Sequence, residues 1–336
     1  MTIEGYTVRP EDKEMLFARA VPLRRKFHKI AELGFEEFKT SALVVETLDR
    51  LGIPSTSGIC GTGVTAEIEG GQPGPTILLR ADMDGLRVQE NTGLEYASEH
   101  PGLMHACGHD GHMASLLAAA ELLMQRRDHI SGRIRLLFQP GEEGFAGARK
   151  MIEHGVLDGV SMAYGLHLFS NYPCGKVALR SGPLMAATGR LYIDITGEPG
   201  HAAMPHLTRD ALLAGAMIAT QIQNVVSRRI DPMGSALVHI GKFTSGEGRS
   251  IVAGTASLLG SVRWLSPELG EILDRSITEV VDGVALQSGC RIDKRFEQGL
   301  PVLINDEGLT ETVRGSARKI VDESDLIPAQ TSMYSE

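Results

Sequence analysis

Thr76-Ile77-Leu78-Leu79-Arg80-Ala81-Asp82-Met83-Asp84-Gly85 is an apolar strand that runs straight into two carboxylates. Working outward, the same alternation recurs on both sides. Residues 11–51 read as two helices, the second from Glu36 to Leu51 and stopped by Gly52 and Pro54. A β-rich run at 63–69 precedes the strand. After it come a helix from near His112 to about Arg127, a strand at 133–139, a helix at about 144–154, and strands at 162–168 and 176–180. Strands alternating with helices predict a largely parallel sheet covered by helices. In such sheets, ligands bind in the loops that leave the strand ends. Asp82, Asp84, Glu142, Glu143 and His167 all fall at or just beyond those ends.

The pattern changes after Gly182-Pro183. From there the chain reads strand 189–196, helix 208–229, strands 235–243 and 255–264, helix 267–288 and strand 290–296. That is βαββαβ, the split-βαβ arrangement of a ferredoxin-like domain. Helix-rich sequence resumes from Asp306 to Glu323. The second domain therefore reads as an insertion: residues 1–183 and 298–336 form one domain, residues 184–297 the insert. Neither an internal repeat nor a low-complexity tract interrupts this plan.

Bulk properties narrow the class. At 336 residues the chain exceeds one ordinary core and suffices for two domains. Hydrophobic content of 42% with 22% charged residues describes a globular protein. The formal net charge of −9 argues against general attraction to nucleic acid or anionic lipid. Met1 to Met15 is polar and charged, unlike a secretory signal, and the longest apolar runs, such as Ala114 to Met124, are too short to span a bilayer. Four widely and irregularly spaced cysteines, at 60, 107, 174 and 290, argue against a disulfide framework and for a reducing cytoplasm.

The densest chemistry lies in His105-Ala106-Cys107-Gly108-His109-Asp110-Gly111-His112. A thiol, three imidazoles and a carboxylate crowd into eight positions. Thiolate and neutral imidazole are the borderline-soft ligands that zinc, nickel and similar divalent ions prefer. Gly108 lets the backbone bend so that Cys107 and His109 can converge. A Cys107 thiolate beside His109 is also the start of a cysteine nucleophile, but that reading leaves the residues that follow unused. Phe138-Gln139-Pro140-Gly141-Glu142-Glu143-Gly144 carries adjacent carboxylates on a loop after a strand. Adjacent side chains in extended backbone point apart, so one can bind metal while the other acts as general base. Asp82 and Asp84 share a parity and suit orienting a metal-bound histidine, although aspartates capping a turn are as common. His167, in Tyr164-Gly165-Leu166-His167-Leu168, reads by itself as a hydrogen-bonded core histidine, and Gly200 to His206 reads as a Gly/Pro turn.

Asp82-Met83-Asp84, Cys107-Gly108-His109-Asp110, Glu142-Glu143, Gly165-Leu166-His167 and His201-Ala202-Ala203-Met204-Pro205-His206 occur in one order. That order resembles the amidohydrolase branch of the aminoacylase/carboxypeptidase G metallopeptidase family, which includes hippurate hydrolases, auxin-conjugate hydrolases and N-acyl amino acid deacetylases. The likeness runs from Glu32-Leu33-Gly34-Phe35-Glu36-Glu37 to Ser335-Glu336. It implies an α/β fold: an α/β/α catalytic domain with an inserted ferredoxin-like lid and dimerisation domain. It implies Cys107, His109, Glu143 and His167 as ligands of two divalent ions (Zn, Mn, Ni or Co), Glu142 as general base and Asp84 as the supporting aspartate. It further implies that His201 reaches the active site of a partner subunit to stabilise the oxyanion, and that Arg263 meets the substrate carboxylate. The expected activity is hydrolysis of the amide bond of N-acyl amino acids, hippurate-like or N-acetyl, by a cytoplasmic homodimer.

Departures from the family pattern accompany the likeness. Ser250-Ile251-Val252-Ala253 stands where an Asn and a Pro usually flank two aliphatics, so Ser250 offers substrate a hydroxyl in place of an amide. Glu198-Pro199-Gly200 replaces Lys-Gly-Gly before His201. Family members continue roughly fifty residues past the equivalent of Glu336, and that segment supplies the last histidine ligand; the expectation is a catalytic domain truncated at its C-terminal end. The alternatives are a dipeptidase or carboxypeptidase of the same family, or a non-catalytic dimerising remnant.

Overall fold

The computed structural model describes residues 9–335. Residues 1–8 of the polar N-terminal stretch, and Glu336, lie outside it. The chain divides into two compact units. One runs through Lys176 and takes back Ser316–Asp325; the other is formed by Val177–Gly315 with the segment from Leu326 onward. The 184–297 segment expected as the insert lies wholly within the second.

The first unit is built on a five-stranded sheet. Its elements are α1 (Pro10–Lys29), α2 (Phe38–Arg50), β1 (Ser55–Ile59), β2 (Gly63–Glu69), β3 (Gln72–Asp82), α3 (His109–Gln125), β4 (Ser131–Gln139), the short turn α4 (Glu142–Phe145), α5 (Gly147–Glu153) and β5 (Val160–Gly165). Strand order is β1-β2-β4-β3-β5. Only the β4-β3-β5 half is parallel; β1 and β2 join it antiparallel. The expected largely parallel sheet is thus mixed. β1, Ser-Thr-Ser-Gly-Ile, has no apolar alternation because it lies at the sheet edge with its middle residues exposed.

Burial explains why β3 is central. Ile77 and Leu78, which face opposite sides, are both buried. Ile77 joins Phe27 of α1, Val44 and Leu48 of α2, Met113 and Leu117 of α3, and Ile134, Leu136 and Phe138 of β4 in one core. Leu78 joins Leu137 and Met151 of α5 on the other face. Each fully buried aliphatic side chain contributes about 1.5–3 kcal/mol, so both layers hold the sheet. A consequence is positional: β3, β4 and β5 all point their carboxyl ends the same way, and Asp82, Gln139 and Gly165 end them.

The second unit contains β6 (Val177–Leu179), β7 (Gly182–Met185), β8 (Ala187–Thr196), β9 (Gly200–His201), α6 (Ala211–Gln221), α7 (Gln223–Arg229), β10 (Ala236–Ser245), β11 (Ile251–Val252), β12 (Thr255–Trp264), α8 (Pro267–Ser288), β13 (Arg291–Gln298), β14 (Leu303–Asn305), α9 (Glu307–Ala317) as far as Gly315, and β15 (Leu326–Pro328). Its main sheet is antiparallel throughout, in the order β10-β12-β8-β13. That is the strand order of a ferredoxin-like βαββαβ fold. β8 shows the period of two that a half-covered strand requires: Leu191, Ile193 and Ile195 are buried, while Arg190 and Asp194 are exposed. The buried side joins Ala214 and Ile218 of α6 and Leu273, Ile277 and Val281 of α8 in a core of its own.

A polar network ties α1 to α3 in the first unit. His28 Nδ1 donates to Asp110 Oδ2 at 2.7 Å, and Arg24 Nε reaches the same oxygen at 2.6 Å. His28 Nε2 meets Glu90 Oε1 at 3.3 Å. The hydrogen bond to Asp110 outweighs burial and raises the His28 pKa. Burial would raise Asp110, but His28, His105 and Arg24 overcome it and hold its carboxyl below the ordinary range. A raised histidine stabilises fully below its unfolded value of 6.5 and loses that contribution as pH rises through its folded value. A depressed carboxylate stabilises above its unfolded value and loses that contribution as pH falls. Removing His28 by His28→Ala should therefore cost about 2 kcal/mol between those limits. In urea unfolding with chelator present, the loss should shrink as pH is raised above 6.5; a pH-independent difference would contradict the charged pair.

Candidate metal centre

Cys107 and Gly108 form the entry to α3. Gly108 has φ +90°, a left-handed conformation that a side chain would strain, and it turns the chain so that His109 opens the helix. His109 is completely buried, yet neither ring nitrogen has a hydrogen-bond partner of acceptable geometry. Its Nδ1 lies 3.4 Å from Asp84 Oδ1, and its Nε2 lies 3.6 Å from Asp82 Oδ2 and 4.0 Å from Glu143 Oε1. Burial alone would depress this imidazole, but Asp84, Cys107 and Asp82 overcome burial and push its pKa up to about 11. An unpartnered polar group in an interior is rare.

Three sets of donor atoms, each mutually within 4.8 Å, share His109: Cys107–His109–His167, His109–Glu142–Glu143 and Asp82–His109–His112. Cys107 Sγ sits 3.4 Å from His167 Nε2. His109 holds the thiol's pKa down, but burial and the Glu143 carboxylate prevail and raise it. Burial likewise raises Glu143, against the pull of His109. For Asp82 the balance reverses: burial is overcome by His112 and Arg80, and its carboxyl is held far below the usual range.

The Glu142-Glu143 segment is not extended, as the residue-by-residue reading supposed. Pro140 and Gly141 turn the chain instead, Gly141 at φ +59°, and Glu143 and Gly144 break the short turn α4 with non-helical angles. What directs the two carboxylates is their backbone. The Glu142 N–H donates to Asp84 Oδ1 at 3.0 Å and the Glu143 N–H to Asp84 Oδ2 at 2.9 Å. The preceding Gly141 N–H donates to Glu37 Oε1 at 2.8 Å, while Thr62 Oγ1 donates to Glu37 Oε2 at 2.5 Å. Glu37 is fully buried, and burial raises its pKa.

β5 stops at Gly165, so His167 lies on the loop beyond it, not inside a strand reaching residue 168. The first unit thus brings Asp84, Cys107, His109, Glu142, Glu143 and His167 together at the carboxyl ends of β3, β4 and β5. His201, Ser250 and Arg263 belong to the second unit. There His201 pairs with Ile251 across β9 and β11, and the Ala202 N–H donates to Ser250 O at 3.0 Å. The Ala203 N–H donates to His201 Nδ1 at 3.1 Å, which assigns the ring proton of neutral His201 to Nε2. Arg263 lies at the other end of β12 from the β11 segment, donating to Ser261 Oγ and Val262 O at 2.7 and 3.0 Å.

Two residues at this site carried no role in the sequence reading. His112 follows His109 by three positions, so a helical spacing could have found it. Glu37 had no signal: its partner Gly141 is 104 positions away.

The sequence profile described as Peptidase family M20/M25/M40 matches residues 78–336. The chain belongs to this family. M20 members are hydrolases of amide bonds, and this chain is one of them. It is similar to an N-acyl-L-amino acid amidohydrolase of Geobacillus stearothermophilus, 42% identical over 287 residues that cover 85% of this chain and 78% of that one. It is similar also to an N-acetyl-L-cysteine deacetylase of Bacillus subtilis (strain 168), 40% identical over 310 residues, 92% and 74% of the two chains. Among solved structures, YXEP of Bacillus subtilis, described as a dinuclear metal-binding peptidase from the M20 family, has a TM-score of 0.85 at 33% identity. It covers 96% of this chain and 85% of that one. Among the described residues, no helix is long and apolar enough to cross a membrane.

The Asp84 clamp can be tested without metal or substrate. An asparagine there accepts from one of the two amides and presents an N–H₂ to the other, leaving that donor unpaired. Asp84→Asn should lower unfolding stability by about 1–3 kcal/mol in chelator. An unchanged urea midpoint would contradict the clamp.

Proposed function

We propose that this chain is a dinuclear metal-dependent amidohydrolase that cleaves the acyl group from N-acyl amino acids, hippurate-like or N-acetyl. The single observation that carries the reading is the buried, unpartnered imidazole of His109 with a thiol, a second imidazole and carboxylates around it. That donor set fits zinc, manganese, nickel or cobalt better than magnesium or calcium. Cys107, His109, Glu143 and His167 would hold the ions. Bound there, the ions would act as Lewis acids and acidify water at neutral pH.

The chain's own groups divide the remaining work. Glu142, whose backbone is fixed by Asp84, takes a proton from the attacking water and delivers it to the departing amine. Asp84, 3.4 Å from His109 Nδ1, orients that ring. His201, with Nε2 as its donor, stabilises the developing oxyanion from a partner subunit in a homodimer formed through the 184–297 domain. Ser250 offers the substrate a hydroxyl, and Arg263 meets its carboxylate. Substrates named by the M20 relatives, N-acyl amino acids and N-acetylcysteine, support this class. The four cysteines are free, which fits a cytoplasmic enzyme.

Assaying hippurate, N-acetyl amino acids and dipeptides side by side tests the reading. N-acyl amino acids should be turned over best, and preferred cleavage of dipeptides would contradict the substrate class. Glu142→Gln should lower kcat by about 10²–10⁴-fold while the protein retains its metal. Loss of metal in that variant would show that the roles of Glu142 and Glu143 are exchanged.

A further inference from the structure

His112 belongs to one of the donor sets around His109, with Asp82 as the third member. Its hydrogen bonds argue against service as a ligand. The Leu168 N–H donates to His112 Nε2 at 2.9 Å. An amide N–H can only donate, so Nε2 is the unprotonated nitrogen and Nδ1 carries the proton. That proton goes to Asp82 Oδ1 at 2.7 Å. Asp82 is itself held by Arg80 Nη1 at 3.0 Å. Both nitrogens of this buried ring are therefore engaged.

The carbonyl of the same residue, which lies in the next peptide unit, is also taken. His167 Nδ1 lies 2.8 Å from Leu168 O. A carbonyl only accepts, so Nδ1 of His167 carries a proton, and in the neutral ring Nε2 keeps its lone pair. That Nε2 faces Cys107 Sγ at 3.4 Å. The two rings stack edge to face with centroids 4.7 Å apart. An unbroken chain thus runs from Arg80 through Asp82, His112 and the Leu168 backbone to the His167 ring and the thiol.

We propose that His112 is a positioning residue. It is a bracket that holds Leu168 by its N–H, so that the Leu168 carbonyl fixes the tautomer and direction of His167. The proposal rests on the reading that His167 holds metal. It assigns the Asp82–His109–His112 set to support and the sets containing Cys107, His167 and the glutamates to the ions. Outer partners of metal-binding histidines commonly affect metal affinity by 10–100-fold.

The test uses cobalt(II) titration of the full chain, with competition by a chelator for affinity. The thiolate-to-cobalt charge-transfer and ligand-field bands report geometry. His167→Ala tests the underlying assignment and should weaken or abolish one ion's binding. His112→Phe keeps an aromatic ring against His167 but can neither donate to Asp82 nor accept from Leu168. It should weaken the His167-dependent ion about 10–100-fold and alter its ligand-field bands, while the thiolate band persists. His112→Gln, which can still accept from Leu168, should fall between that variant and the parent. Cobalt affinity and spectrum unchanged in His112→Phe would overturn the proposal. If His112→Phe does not fold, His112→Gln decides alone: a shift in affinity and bands supports the bracket, and parental values overturn it. Parental binding in His167→Ala would overturn the assignment of His167 itself, whatever the His112 variants do.

Discussion

Three successive amides, those of Gly141, Glu142 and Glu143, end on two carboxylates from distant parts of the chain, Glu37 and Asp84. This constraint shapes the site. A loop of consecutive N–H groups is a small anion cradle, and here the anions are built in. Because Asp84 takes two of the amides, the directions of both glutamate side chains follow from the backbone that bears them. The same carboxylate lies 3.4 Å from His109. One aspartate therefore registers the β4 loop against the start of α3.

That registration works because the sheet delivers its parts to one edge. β3 supplies Asp82 and, two residues on, Asp84; β4 leads into the glutamates; β5 leads into His167. Parallel neighbours end together, which is why residues 84, 142 and 167 meet despite their separation in sequence. The carboxylates gathered around His109 raise its pKa, so a cation binding at that ring would compete with its proton.

Much of this was legible in the residues, for identifiable reasons. The βαββαβ order of the second unit followed from clean periodicity, as in Leu191, Ile193 and Ile195 against Arg190 and Asp194. The concentration of thiol and imidazoles around the start of α3 announced ligand chemistry because such residues have little use in a core. The polar edge strand β1 escaped notice because it buries little. The end of β5 was placed too late because Leu166 and Leu168 look like strand core but are exposed. Glu37 could not be read at all: a carboxylate that caps a turn 104 residues away leaves no local pattern. His112 was visible as an imidazole, but only its two hydrogen bonds distinguish a bracket from a ligand.

The central claim is that thiol, imidazole and carboxylate donors converge on a pair of ions. Anomalous diffraction from crystals of the zinc-loaded protein, recorded on both sides of the metal edge, tests it most directly. The account predicts two peaks about 3.5–4 Å apart, in contact with Cys107, His109, Glu143 and His167. Peaks bound through Asp82 and His112 instead, or no peak beside His109, would contradict it.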